Sequence, residues 1–328
     1  MNVSGIKQTA LLITIVLLSC LAGCASSAKP PGDYTWERTG NSLALIKAGR
    51  TIWQLNYDKR YDKPYFYPVA LADGTILTER RPADHPWHRS LWWSWKFINS
   101  VNYWEDDPNT FLAPGRNEIM DVSVKPHEDG FAEATITISY HPQGKSEVMT
   151  EKRTLRMSTP DVRGIYYIDW KSEFTAKDKD LLLDRTPILG EQNGVEWGGY
   201  AGLSIRLAQN AGGWQAADSE GHAFNEGYNN VKGRWLDFTI EPNRGITAGI
   251  AVLDHPDNLR HPTPWDVILG QGKKGMRYFS PAILYYEPLT LPSGKTLTLR
   301  YRIIIHPGGT NRDILESEWQ KFSKSGKW

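Results

Sequence analysis

From Ala132 to Tyr140 the chain alternates, with Ala134, Ile136 and Ile138 on one side and Thr135, Thr137 and Ser139 on the other. Only an extended strand with one buried face repeats its side chains every two residues. Runs of the same length and character recur at Ser42–Ala48, Thr51–Tyr57, Tyr65–Ala72, Glu147–Met157, Ile165–Thr175, Tyr200–Leu207, Arg234–Glu241, Ile246–Leu253, Arg277–Tyr286 and Thr296–Ile305. Asp73-Gly74, Asp129-Gly130 and Ser293-Gly294 each fall between two such runs, where a tight turn needs positive φ. Many short strands joined by such turns predict an all-β fold, a large antiparallel β-sandwich. One helix is expected, at the C-terminus. Thr310 or Asn311 caps it, Asp313 sits in its first turn, and Ile314, Leu315, Trp319 and Phe322 share a face. Packing against a sheet edge or closing one end of the core would both suit that face. No repeat and no internal linker divides residues 34–328, which are read as a single domain.

The first residues carry a different kind of information. Lys7 precedes an apolar run from Ala10 to Leu21, interrupted by Thr14, Ser19 and Cys20. The run is short for a membrane span, which takes about 20 apolar residues, and suits the core of a signal peptide. Leu21-Ala22-Gly23-Cys24 then reads as a lipobox, with residues 1–23 removed and Cys24 lipidated. An ordinary secretory signal that contains a cysteine is the alternative. Ala25 and Ser26, neither acidic, favour the outer membrane in a Gram-negative cell, and residues 24–33 form the lipidated start and a short tether. The expected location is therefore the cell envelope, lipid-anchored through Cys24.

Both cysteines, Cys20 and Cys24, lie in this leader. That excludes a cysteine nucleophile, a cysteine-held metal and a disulfide framework from the folded part. Cleavage after Gly23 removes Lys7 and no acid, so the 38 basic side chains fall to 37 and match the 37 acidic ones. Such a balance offers nothing to nucleic acid. The compositional outlier is tryptophan, 14 in 328 residues. Indole faces stack on the C–H faces of pyranose rings, so this enrichment suits a carbohydrate ligand as well as a core.

Three segments could carry chemistry. Asp84-His85-Pro86-Trp87-His88-Arg89-Ser90-Leu91-Trp92-Trp93-Ser94-Trp95 brings two histidines, an acid and an arginine into a loop that enters an aromatic strand. Pro86 prevents a regular helix there. The polar groups could bind a metal, transfer protons or clamp a carboxylate, or simply form a histidine-rich corner bonded to backbone. Trp93 and Trp95 share one strand face and Trp92 takes the other; either face could line a cleft, or both could be core. The second segment, Asp254 to Asp266, again joins His-Pro to Trp-Asp, through His255, His261, Trp265 and Asp266. It is read as a loop stiffened by three prolines, and the two His-Pro loops could meet at one end of the sandwich. In the third, Glu196 beside Trp197 could serve as a general acid if buried, or be a solvated loop carboxylate. Gly270–Gly275 imitates a dinucleotide-binding spacing but is followed by a strand-like run, and is set aside. A transition metal at His85, His88, His255 and His261, with Asp84 or Asp266, has ligands enough but no diagnostic spacing.

At these residues the chain resembles the PmoA-like family, labelled methane oxygenase PmoA and formally a domain of unknown function. The resemblance rests on Lys63–Val69, the Asp73-Gly74 turn, Asp84–Trp95, Asn102-Tyr103-Trp104, Gly199–Arg206 and Asp254–Trp265, and runs from about residue 42 to 308. Ser90 departs from that pattern, which has glycine there, and Gly270–Gly275 replaces a Tyr-Gly-Leu type of segment. The label implies an oxygenase, yet a membrane oxygenase subunit needs several membrane helices and no such helix follows the leader. The resemblance better implies an exported sandwich linked to glycan breakdown, akin to the galactose-mutarotase-like supersandwich, where a histidine acid and a glutamate base work across a sugar. It carries over no catalytic residue.

The expected function is a carbohydrate-active enzyme, with no cofactor. His85 or His88 would donate the proton, Arg89 would orient a hydroxyl or carboxylate, and Glu196 or Asp266 would be base or nucleophile, with His255 and His261 beside them. Trp87, Trp93, Trp95, Trp197, Arg206 and Trp265 would contact the sugar. A non-catalytic glycan-binding lipoprotein and a metal-dependent oxidoreductase are the alternatives.

Overall fold

A computed structural model describes Met1 and residues 32–209, 212–271 and 275–326. The leader, Cys24 and the tether up to residue 31 lie outside the described residues. Within them the chain is a large antiparallel β-sandwich with one C-terminal helix. One sheet has nine strands, in the order Tyr34–Arg38, Ser42–Lys47, Arg50–Asn56, Tyr65–Val69, Leu91–Ser94, Gly202–Arg206, Met276–Pro281, Pro264–Gln271 and Gly227–Lys232. The facing sheet has eight, in the order Gly212–Asp218, Trp235–Asn243, Ile246–Asp254, Thr296–Pro307, Tyr166–Ala176, Met149–Ser158, Phe131–Pro142 and Gly115–Pro126. A smaller sheet joins Leu289–Leu291, Leu181–Asp184, Phe97–Ile98 and Val101–Asn102.

The alternation read in the sequence decides which side chains fill the space between the large sheets. On Phe131–Pro142, Ala134, Ile136 and Ile138 point inward and are buried. Aromatic rings bridge the layers: Trp93 meets Phe174 at 5.0 Å between centroids, and Phe238 meets Phe279 at 5.8 Å. Trp53 Nε1 donates to Ser158 O, and Tyr166 Oη donates to Ala70 O, tying the two sheets by polar bonds as well. Trp93, Trp95 and Trp265 are wholly buried in this layer. The expectation that they contact a sugar is therefore corrected: they stand on the inward face of their strands.

The helix runs from Arg312 to Ser323, with Asn311 as N-cap accepting from the Ile314 N–H at 3.1 Å. It lies on the outer face of the eight-stranded sheet, where Leu315 and Phe322 cover Ala251, Leu253 and Ile304. It neither closes the core nor sits at a sheet edge, because Ala251 and Leu253 are the outward partners of the inward Ile250 and Val252. Pro264–Asp266, read in the sequence as the end of the Asp254–Asp266 loop, open the strand Pro264–Gln271. Pro264 occupies the strand start, where its missing N–H costs no ladder bond. Pro264–Gln271 pairs antiparallel with Met276–Pro281, so strands flank the Gly270–Gly275 stretch, of which residues 272–274 lie outside the described residues. Ser293-Gly294 is a turn with Gly294 at φ 67°, but its flanking strands belong to different sheets.

One departure from alternation points to the site. Leu91–Ser94, Gly202–Arg206 and Met276–Pro281 are buried along their whole length, on both faces. A strand of that kind needs a second cover. Here the loops bearing the first and third sequence clusters lie over the outer face of the nine-stranded sheet.

Candidate functional site

The outer face of this sheet carries a second aromatic cluster, apart from the main core. Trp92, Trp104, Ile268, Met276 and Tyr278 form it, with Tyr65, Trp87 and Tyr200 packed around. Above it opens a pocket of about 240 Å³ lined mainly by Trp87, Trp104, Trp197, Tyr200, Tyr228 and the two histidines His85 and His88. Trp197 and Tyr228 stand at its exposed rim. Glu105 enters from the wall.

The turn from Pro82 to His88 sets the histidines. His85 N–H donates to Pro82 O and His88 N–H to His85 O, so the chain curls twice and brings both rings to one side. The imidazoles stack with centroids 4.6 Å apart and planes 29° apart. His88 lies deeper, 5.0 Å from the Trp92 ring and 5.6 Å from Tyr278. Burial drives its pKa well below the usual histidine range, and the charges of His85 and Arg206 push the same way. His88 is thus a neutral imidazole, and its Nδ1 is buried without a hydrogen-bond partner among the described residues. His85 Nδ1 lies 2.9 Å from Asp84 Oδ2. The same oxygen accepts from Arg206 Nη2 at 2.7 Å. Burial would raise the Asp84 pKa, but the bonds from Arg206 and His85 outweigh it and hold the carboxyl well below its ordinary value. Arg206, expected to contact the sugar, instead lies fully buried beneath Asp84.

In the same lining Glu105 is held by three donors. Lys96 Nζ donates to both its oxygens at 2.7 and 2.5 Å, Asn102 Nδ2 donates at 2.6 Å and Tyr200 Oη at 3.1 Å. Sequence reading missed Glu105 because the strand pattern breaks at Asn102–Asp106. Its position directly after Tyr103-Trp104 was the available signal. Asp266 stands on the outward face of its strand, opposite Asn230 and Ser280. Its Oδ2 is buried with no partner among the described residues, and burial pushes its carboxyl up to about 8. Its charge would raise the phenols of Tyr200, Tyr228, Tyr278 and Tyr285.

The remaining candidates go elsewhere. Arg89 is buried in an ion pair with Asp106, shared with Lys63, and donates to the carbonyls of Asp62 and Phe111. It fixes loops and does not line the pocket. The two His-Pro loops do not meet. His261 Nδ1 lies 2.7 Å from Asp254 Oδ2 and its ring stacks on Trp319 at 6.1 Å. His255 packs edge-on against Phe322 at 5.1 Å. Both histidines serve the docking of the C-terminal helix, and the four-histidine metal site falls with that separation. No cluster of three or more His, Cys, Asp or Glu is placed to hold a metal among the described residues. Glu196 is exposed, on the loop beside Trp197 at the rim.

Backbone geometry fixes the walls. Gly199, between Trp197 and Tyr200, has φ 97°, and a Cβ there would stand 2.3 Å from the Tyr285 ring. Gly199→Ala is expected to lower stability by about 1–3 kcal/mol and to displace this wall; thermal unfolding together with Trp197 fluorescence checks both. Ser90 holds φ 76° in a non-glycine residue, with Oγ donating to Thr78 Oγ1 at 2.7 Å.

A family model matches residues 42–320, that of a family of unknown function, DUF6807. The chain belongs to DUF6807. This match overturns the PmoA-like resemblance drawn from the Asp84–Trp95 and Asp254–Trp265 segments, and the oxygenase reading attached to that label goes with it. No curated protein matches this DUF6807 chain. Among solved structures it is similar to the galactosidase domain of an alpha-galactosidase-sucrose kinase, AgaSK, with a TM-score of 0.39 and 7% identity. The alignment covers 84% of this chain and 40% of that one, so the DUF6807 chain spans well under half of that protein's length.

Proposed function

We propose that this DUF6807 protein binds a sugar ring in the pocket on the outer face of the nine-stranded sheet and acts on it by acid–base chemistry. The observation that carries this reading is the pairing of an aromatic-walled pocket of about 240 Å³ with carboxyl and imidazole groups in its lining. Trp87, Trp104 and Trp197 offer indole faces to the C–H face of a pyranose. Glu105 and the histidines offer acceptors and donors to its hydroxyls. His85, in the pocket lining with Nδ1 beside Asp84, suits the base, and His88, kept neutral by burial, packs against it. The leader supports a place outside the cytoplasm, on the membrane through lipid at Cys24.

A glycan panel with calorimetric and product readouts tests the proposal. Trp197→Ala, which removes a rim platform, is expected to weaken binding about 10-fold or more, the scale of a lost aromatic stack. Glu105→Gln and His85→Ala are expected to lower turnover by about 10²–10⁴-fold with folding intact. Binding without turnover in the wild type, unchanged by Glu105→Gln, would make the protein a glycan binder. No binding to any glycan would overturn the reading.

A further inference from the structure

A chain of polar groups leads through Asp84 to His85 and His88. Arg206, on the outward face of Gly202–Arg206, is fully buried and donates through Nη2 to Asp84 Oδ2 at 2.7 Å. Gln209 Nε2 reaches the other Asp84 oxygen at 3.2 Å. Asp84 Oδ2 lies 2.9 Å from His85 Nδ1. His85 then stacks on His88, and both rings line the pocket. We propose that Arg206, Asp84 and His85 form a proton-transfer relay in which Asp84 is a positioning residue and His85 the catalytic residue that exchanges protons with the ligand.

The inference rests on the pocket being a ligand site and assigns the work inside it. A carboxylate bonded to Nδ1 fixes the proton on that nitrogen and turns Nε2 toward the pocket as an acceptor. Nε2 takes a proton from a ligand hydroxyl, whose O–H bond breaks as the N–H bond forms. The oxygen keeps the electron pair and the imidazole becomes a cation beside the Asp84 carboxylate. The same proton returns to a ligand oxygen or leaving group, so the ring ends neutral. Arg206 keeps Asp84 ionised and oriented, which lets Asp84 offset that charge without itself taking the proton. His88 cannot share the cation, since it is enclosed by Trp92, Trp104 and Tyr278 and already faces the charges of Arg206 and Lys63. Two stacked histidines therefore have separate roles: one carries charge and the other stays neutral.

The test needs no ligand, so its result stands apart from the glycan panel. Nitrogen-15 NMR of the purified chain at mildly alkaline pH reads the tautomer of each histidine, with His85→Gln used to assign the signal. The wild type is expected to show His85 as the Nδ1–H tautomer, the minor form in free histidine. Asp84→Asn is expected to mix the two tautomers, and Asp84→Glu to keep the Nδ1–H form. A wild-type His85 in the Nε2–H form overturns the relay, even if Asp84→Asn fails to fold. An unchanged tautomer in folded Asp84→Asn overturns the positioning role of Asp84.

Discussion

Glu151→Ala is expected to lower the unfolding free energy by about 3–5 kcal/mol, the cost of leaving one member of a buried ion pair alone. Glu151 and Arg153 point into the space between the two large sheets and are fully buried. Glu151 accepts from Arg153 Nε at 2.7 Å and Nη2 at 2.9 Å, from Tyr140 Oη at 2.5 Å and from Ser172 Oγ at 2.6 Å. Arg153 also donates to Pro64 O on the other sheet and lies over the Trp170 ring at 4.5 Å. Removing the carboxylate strands a guanidinium where water cannot follow. The double replacement Glu151→Leu with Arg153→Met removes both charges and is expected to recover most of the loss. Urea unfolding of the wild type and the two variants checks this. A single-mutant loss below about 1 kcal/mol would mean that the pair is hydrated.

The second large effect concerns Asp266 and pH. Its ordinary value of 3.8 is raised by burial to about 8 in the folded chain. Between those values the folded state holds a proton that the unfolded state has released. Stability is therefore greatest below pH 4 as far as this group is concerned. It falls as pH rises, by about 1.4 kcal/mol per unit, until about pH 8. The full span approaches about 5 kcal/mol. Asp266→Asn keeps the size and removes the titration. The difference in unfolding free energy between the two proteins is expected to shift steadily toward the variant from pH 4 to pH 8. Parallel curves would show that Asp266 is ionised and solvated.

Period-two runs such as Ala132–Tyr140 exist because one face is buried, so they exposed the strands, the sandwich and the Asp129-Gly130 hairpin directly. The helix was equally legible, since Asn311, Asp313 and the apolar face are local signals. Strands buried on both faces gave no alternation, so Leu91–Ser94 could be seen as aromatic without showing which indoles face the core. Parity alone separates Trp92, beside the pocket, from Trp93, in the core. The His255 and His261 loop resembles the first in composition, yet chain length says nothing about which face of which sheet a loop covers.

The strand content, the helix and the absence of cysteine from residues 32–326 are legible in the sequence alone. Those depend on local periodicity and on residue chemistry. Only the packed fold brings Glu105 into one pocket with His85 and His88, puts Arg206 beside Asp84, and gives His255 and His261 to the helix dock. It also decided that Asp266 loses its water. Each of these depends on strands far apart in sequence becoming neighbours in one sheet, and pairing order across a sandwich is fixed by packing of the whole core, which no single segment encodes.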